Sequence, residues 1–155
     1  MLVTRLILKN WRNFREADVP MRDRTYLVGP NASGKSNLLE VFRFLRDISK
    51  PAGGGIQKAV EDRGGITKLR CLHARGDPEV RIEVHLSESA DDAQPTWRYL
   101  LGFKSEGKGA QRLLVFKEQV WHKGNGILAR PESGDKADPV RLTQTHLEQI
   151  QTNAK

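Results

Sequence analysis

Gly29-Pro30-Asn31-Ala32-Ser33-Gly34-Lys35-Ser36 matches the spacing G-x-x-x-x-G-K-[ST] at every fixed position. The residue types suit one kind of ligand, a triphosphate tail. The glycines admit backbone conformations closed to other residues and let the main chain come close to phosphate oxygens. Successive N–H groups then form an anion-binding concavity, reinforced by the start of the helix that follows. Lys35 adds a full positive charge for the β- and γ-phosphates and is the candidate catalytic residue, clamping charge electrostatically. The Ser36 hydroxyl is a small, hard oxygen suited to ligating magnesium. The competing reading is an ordinary glycine turn. A chance match in a chain of this composition is about one in a hundred, so the phosphate reading is preferred. The expected ligands are ATP and Mg2+, with Gly29, Pro30, Asn31, Ala32, Ser33, Gly34, Lys35 and Ser36 forming the loop.

Such a loop needs a strand to deliver it and a helix to receive it. Thr25 to Val28 is a short, mostly apolar run that predicts a buried strand. Leu38, Leu39, Val41, Phe42, Phe44, Leu45 and Ile48 recur at helical spacing, predicting a helix over Ser36 to Ile48 with Glu40, Arg43 and Asp47 on its wetter side. Pro51 and Gly53-Gly54-Gly55 end that region, and Gln57 to Glu61 predicts a short helix stopped by Gly64-Gly65. Upstream, Val3 to Leu8 reads as a first strand and Glu16 to Val19 as its hairpin partner, ended by Pro20. Further on, Val80 to Leu86 and Trp97 to Phe103 alternate apolar and polar residues, and Leu113 to Trp121 is a third strand. With the loop Ala90 to Pro95 and a turn at Gly124-Asn125-Gly126 before Ile127-Leu128, this predicts an antiparallel meander. Pro131 to Pro139 reads as a polar loop, and Val140 onward as an amphipathic helix that stops abruptly. That ending suggests the front part of something longer.

The chain has 155 residues, 37% hydrophobic and 29% charged, enough for one domain with a sizeable core. No run approaches membrane-spanning length, and the N-terminus lacks the features of a signal peptide, so the default expectation is a cytoplasmic protein. The single cysteine, Cys71, excludes an internal disulfide and a cysteine-rich zinc site. His73, His85, His122 and His146 show no metal-ligand spacing. Glu132, Asp135 and Asp138 read as solvated loop carboxylates. A net charge of +7 and a pI near 9.8 leave DNA as a candidate partner, though scattered solvated arginines explain the same balance.

Leu6-Ile7-Leu8-Lys9-Asn10-Trp11-Arg12-Asn13-Phe14, followed by Tyr26 to Glu40, resembles the opening of RecF/SMC-like ABC-type ATPases. Within that group it looks most like predicted ATPases related to the OLD (overcoming lysogenisation defect) proteins, and Gln57 to Gly65 is similar to a recurrent Arg-Gly-Gly segment there. The resemblance implies an α/β P-loop NTPase head, present as its N-terminal portion with an antiparallel β-lobe. The expected division is 1–72 for the nucleotide-binding core, 73–131 for the β-lobe, and 132–155 for a loop and the start of a helix. The resemblance places Arg12 and Asn13 near the nucleotide, Asn37 as a support to the loop, and Trp11 or Phe14 at the base or in the core. It implies a homodimer in which two heads sandwich ATP.

Other parts of that pattern are missing from these residues. No apolar strand ending in Asp-Glu follows the loop, and Asp91-Asp92 sits in a polar loop unsuited to replace it. No Ser-Gly-Gly-type signature segment and no late switch histidine is found. A magnesium-sensing glutamine is implied, but Gln111, Gln119 and Gln144 read as surface or structural residues. The favoured reading is an ATPase module coupling ATP binding and hydrolysis to head association, in DNA repair or phage defence. The alternative is a nucleotide-switched nucleic-acid-binding module without hydrolysis of its own. A small-molecule kinase fits the loop interior and its sequel Asn37-Leu38-Leu39-Glu40 poorly.

Overall fold

The computed structural model describes residues 1–73, 76–107 and 112–153, with side chains described through residue 150. Its framework is a six-stranded antiparallel sheet in the order β2-β1-β3-β4-β5-β6. The strands are β1 (Leu2–Trp11), β2 (Phe14–Pro20), β3 (Val80–Ser87), β4 (Trp97–Ser105), β5 (Leu113–His122) and β6 (Asn125–Arg130). The helices are α1 (Lys35–Ile48), α2 (Ile56–Glu61), α3 (Ile66–Leu69), α4 (Ser133–Ala137) and α5 (His146–Asn153), with a 3-10 turn at Pro139–Thr143.

Period-two alternation turns one face of the sheet inward. Leu6 and Leu8 of β1, Val80, Ile82 and Val84 of β3, Leu101 and Phe103 of β4, and Leu113 and Val115 of β5 are all buried. Leu8 lies opposite Ile82, which lies opposite Leu101, so the register stacks apolar residues across the sheet. Leu38, Val41, Phe44 and Ile48, at helical spacing on α1, close this face. Phe44 is the hub, its ring centroid 5.1 Å from that of Trp11 and 5.6 Å from that of Phe103. Leu39 points away from the core and is half exposed.

The first hairpin and the later strands share one sheet, because β1 pairs with β2 on one side and β3 on the other. The expected division at residue 73 is therefore not a boundary in the sheet.

Several expectations are corrected. Thr25 to Val28 is not a buried strand: it is irregular and unpaired, with Tyr26 82% and Val28 94% exposed. Only Leu27 packs against the core, and no strand among the described residues lies beside the segment to satisfy its backbone. The hairpin turn after β5 is Lys123-Gly124, both at positive φ, rather than Gly124-Asn125-Gly126. The polar loop contains α4, and the chain at Val140 enters a 3-10 turn before α5 begins at His146.

Two polar networks explain residues that the sequence assigns to solvent. Arg63, its side chain only 8% exposed, donates from Nε to Glu40, from Nη2 to Asp47 and from Nη1 to the Ala59 carbonyl, each at 2.8 Å. Glu40 and Asp47 are thus not on a free wet face; they fasten α1 to α2. The Arg63 hydrogen bond, then that of Lys50, holds the Asp47 carboxyl well below the usual carboxylate range. Asp135 is likewise buried rather than solvated, bonded to Arg130 at 3.0 and 3.1 Å. Arg130 also reaches fully buried Glu118 at 3.2 Å. Glu118 accepts from Tyr99 Oη at 3.0 Å and from the backbone N–H of His146 at 2.8 Å, at the start of α5. Burial, then the Glu118 charge, pushes the Tyr99 hydroxyl well above its ordinary pKa.

Candidate nucleotide site

The phosphate loop runs from the end of the unpaired segment into α1, with Gly34 as the residue before the first helical turn. Gly34 has φ +99°, a conformation that costs a glycine little and a side chain more. Helix α1 has no side-chain cap and no acidic residue in its first turn. Its first hydrogen bond closes from Leu38 N to Gly34 O at 2.9 Å. The N–H groups of Lys35, Ser36 and Asn37 therefore have no acceptor within the helix. Most helices spend a Ser, Thr, Asp or Asn side chain here; leaving the end uncapped, with its positive dipole, suits an anion.

Lys35 folds back along the loop. Its Nζ donates to the carbonyls of Gly29 at 2.5 Å and Pro30 at 2.6 Å, with Ser33 Oγ at 3.4 Å. The ammonium group is thereby held at the loop rather than drifting in solvent. Ser36 is exposed at the second position of α1, and its hydroxyl makes no hydrogen bond among the described residues. A hard, unengaged hydroxyl next to an uncapped helix end fits a magnesium ligand.

The β1–β2 turn meets the loop from the side. Trp11 pairs with Phe14, leaving Arg12 and Asn13 as the two-residue tip. Trp11 is fully buried, and its Nε1 donates to Asn37 O at 2.8 Å, so it is a core anchor and not a border for a base. Phe14 also packs against the core. Asn37 Nδ2 donates to Asn13 Oδ1 at 2.8 Å. Arg12 has φ +54°; its backbone N–H donates to Leu69 O at 2.6 Å and its Nη1 to Lys68 O at 3.3 Å, while its Nε is buried without a partner.

Beside this tip lies a cleft of about 480 Å³ whose lining includes Arg12, Asn13, Asn37, Lys68, Arg70 and His73 and no carboxylate. Lys68, Arg70 and His73 were not legible as site residues. They arrive through the bridge between Trp11 and Arg70 and the bond from Cys71 N to Asn10 O, pairings that carry no local signal. Gln119 and Gln144 do not line the cleft, and Gln111 lies outside the described residues. Cys71 is buried.

A glycine loop running into an uncapped helix that packs on an antiparallel sheet fits a P-loop head of the RecF/SMC-like ABC type, and known proteins similar in sequence and in fold agree. The chain belongs to the family described as "AAA domain, putative AbiEii toxin, Type IV TA system", whose model matches residues 24–155. It is similar to DNA replication and repair protein RecF of several bacteria. For Roseiflexus castenholzii the identity is 36% over 109 residues, covering 62% of this chain and 28% of that protein. For Clavibacter sepedonicus it is 33% over 91 residues, 58% and 22% of the two chains, and for Proteus mirabilis 46% over 46 residues, 29% and 13%. The chain thus spans only part of the length of these curated relatives. A solved structure described under "Structural biochemistry of ATP-driven dimerization and DNA stimulated activation of SMC ATPases" superposes with TM-score 0.52 over 97% of this chain and 96% of that one, at 14% identity. That likeness is one of fold.

Among the described residues no helix is long and apolar enough to cross a membrane.

Proposed function

We propose that the chain is the ATP-binding part of an ATPase head in a DNA-repair or phage-defence protein, and that ATP draws two such heads together. The observation that carries this reading is the uncapped N-terminus of α1 joined to a loop along which Lys35 is already folded. The phosphates would lie against the N–H groups of the loop and of Lys35, Ser36 and Asn37, with the Lys35 ammonium countering their charge. Ser36 would hold magnesium, which supplies charge neutralisation at the β- and γ-phosphates. The carboxylate-free cleft beside Arg12, Asn13 and Asn37, whose lining also includes Arg70 and His73, would receive the ribose and adenine.

Within these 155 residues no apolar strand ends in two acids. Without such a pair to activate water, the 155-residue chain alone is expected to bind nucleotide weakly and hydrolyse it negligibly. The SMC neighbour is described as dimerising with ATP, and the same behaviour is proposed here. Sedimentation of the purified protein with a non-hydrolysable ATP analogue tests it: a dimer should form with the analogue and not with Lys35→Ala. A monomer under both conditions would contradict head association.

The net charge of +7 favours a second component, DNA binding coupled to the nucleotide state. Phosphate neutralisation predicts that DNA affinity falls steeply as salt rises.

A further inference from the structure

The first turn of α1 has no side-chain cap of its own and is contacted by the β1–β2 turn. Trp11 Nε1 grips the main chain at Asn37 O, and Asn13 Oδ1 accepts from the side chain of the same residue, both at 2.8 Å. The Asn13 amide also covers Gly34. A methyl group placed on Gly34 would stand 2.9 Å from Asn13 Oδ1, 3.0 Å from its Cγ and closer still to its Nδ2. Gly34, at φ +99°, immediately precedes Lys35, Ser36 and Asn37, whose N–H groups have no acceptor within the helix, so a contact that holds Gly34 helps to hold their direction.

We infer that Asn13, paired with Asn37, is a positioning residue for the phosphate loop, acting through Gly34 rather than on the nucleotide itself. The inference rests on the nucleotide reading above. Its physical basis is preorganisation: a glycine-rich loop ordered only on binding gives up backbone entropy at that moment, whereas a loop already clamped does not. Removing the clamp weakens the ligand through the loop; a direct contact from either side chain at the cleft wall would instead be lost separately in each variant and add up in the double one. The pair joins exposed or half-buried side chains, so it contributes little to the stability of the fold.

The test is calorimetric titration of Mg-ATP and Mg-ADP into the purified protein, Asn13→Ala, Asn37→Ala, the double variant and Lys35→Ala, with a melting temperature for each. Either asparagine variant should weaken both nucleotides by the same factor, about 3- to 10-fold, with melting unchanged within about 2 °C. The double variant should be no weaker than the worse single one, because both changes break one clamp. Losses that multiply in the double variant would overturn the inference. So would a loss confined to ATP, which would make Asn13 a direct γ-phosphate contact, or affinities equal to the unsubstituted protein. If the unsubstituted protein binds and Lys35→Ala does not, while Asn13→Ala binds normally, only the positioning role falls. If neither nucleotide binds the unsubstituted protein, the nucleotide reading falls and this inference with it.

Discussion

Arg63 shows how one side chain ties the site's helix to its surroundings. Its guanidinium is shared among Glu40, Asp47 and the Ala59 carbonyl and lies 5.3 Å from the Phe44 ring centroid. Arg63→Ala removes three bonds of a buried guanidinium while Glu40 keeps Arg43 and Asp47 keeps Arg46 and Lys50, and should cost about 1–3 kcal/mol in urea unfolding; a change under about 0.5 kcal/mol would show the network to be idle. Asp47 sets the acid limit of this network. Its pKa is lowered by folding, so its contribution is complete above the unfolded value of about 4. That contribution is lost as pH falls from there through the lowered folded value. Asp47→Asn should therefore flatten melting temperature against pH below about pH 4, and slopes equal to the unsubstituted protein would contradict the pairing. The phosphate loop was readable residue by residue, because its pattern is local in sequence. The partners of Arg63 were not, since Glu40 and Asp47 at helical spacing look like a wet face until α2 is packed against them.

At the scale of elements, Glu148 joins two helix starts that are far apart in sequence. It accepts from Thr145 N at 3.1 Å and Thr145 Oγ1 at 3.0 Å at the head of α5, and from Ile56 N at 3.0 Å at the head of α2. Gln57 adds bonds to the carbonyls of Leu113 and Thr143 and from Leu113 N. Glu148→Ala strands a part-buried N–H of α2 and should cost about 1–3 kcal/mol, seen as a lower urea midpoint with unchanged slope. An unchanged midpoint would contradict the latch. Strand alternation was legible because β1, β3 and β5 bury mainly alternate residues, although β4 buries Leu100 to Phe103 in a row. Thr25 to Val28 misled because apolar content predicts a strand whether or not a neighbour is present to pair with it. The helix expected from Val140 onward is present as α5 from His146, whereas α4 was missed because Asp135 and Arg130 look solvated singly and are buried only as a pair.

Seen whole, the molecule has a packed sheet-and-helix core and an unpaired segment, Thr25 to Val28, leading into its glycine loop. Amide exchange of the 155-residue chain should reflect that contrast, with slow exchange in β1 and β3 and fast exchange at Tyr26, Leu27 and Val28. Protection at Tyr26 to Val28 equal to that of β1 would contradict the unpaired geometry. The basic charge belongs to this scale too: DNA affinity measured from low to physiological salt should fall steeply, and flat, negligible binding would leave the charge as solvated surface. The central claim is that the loop from Gly29 to Ser36 holds the phosphates of ATP. Calorimetry of Mg-ATP on the purified, folded protein tests it most directly. Saturable heat that is weakened at least about tenfold in Lys35→Ala is predicted; no heat, or equal binding by the two proteins, would contradict it.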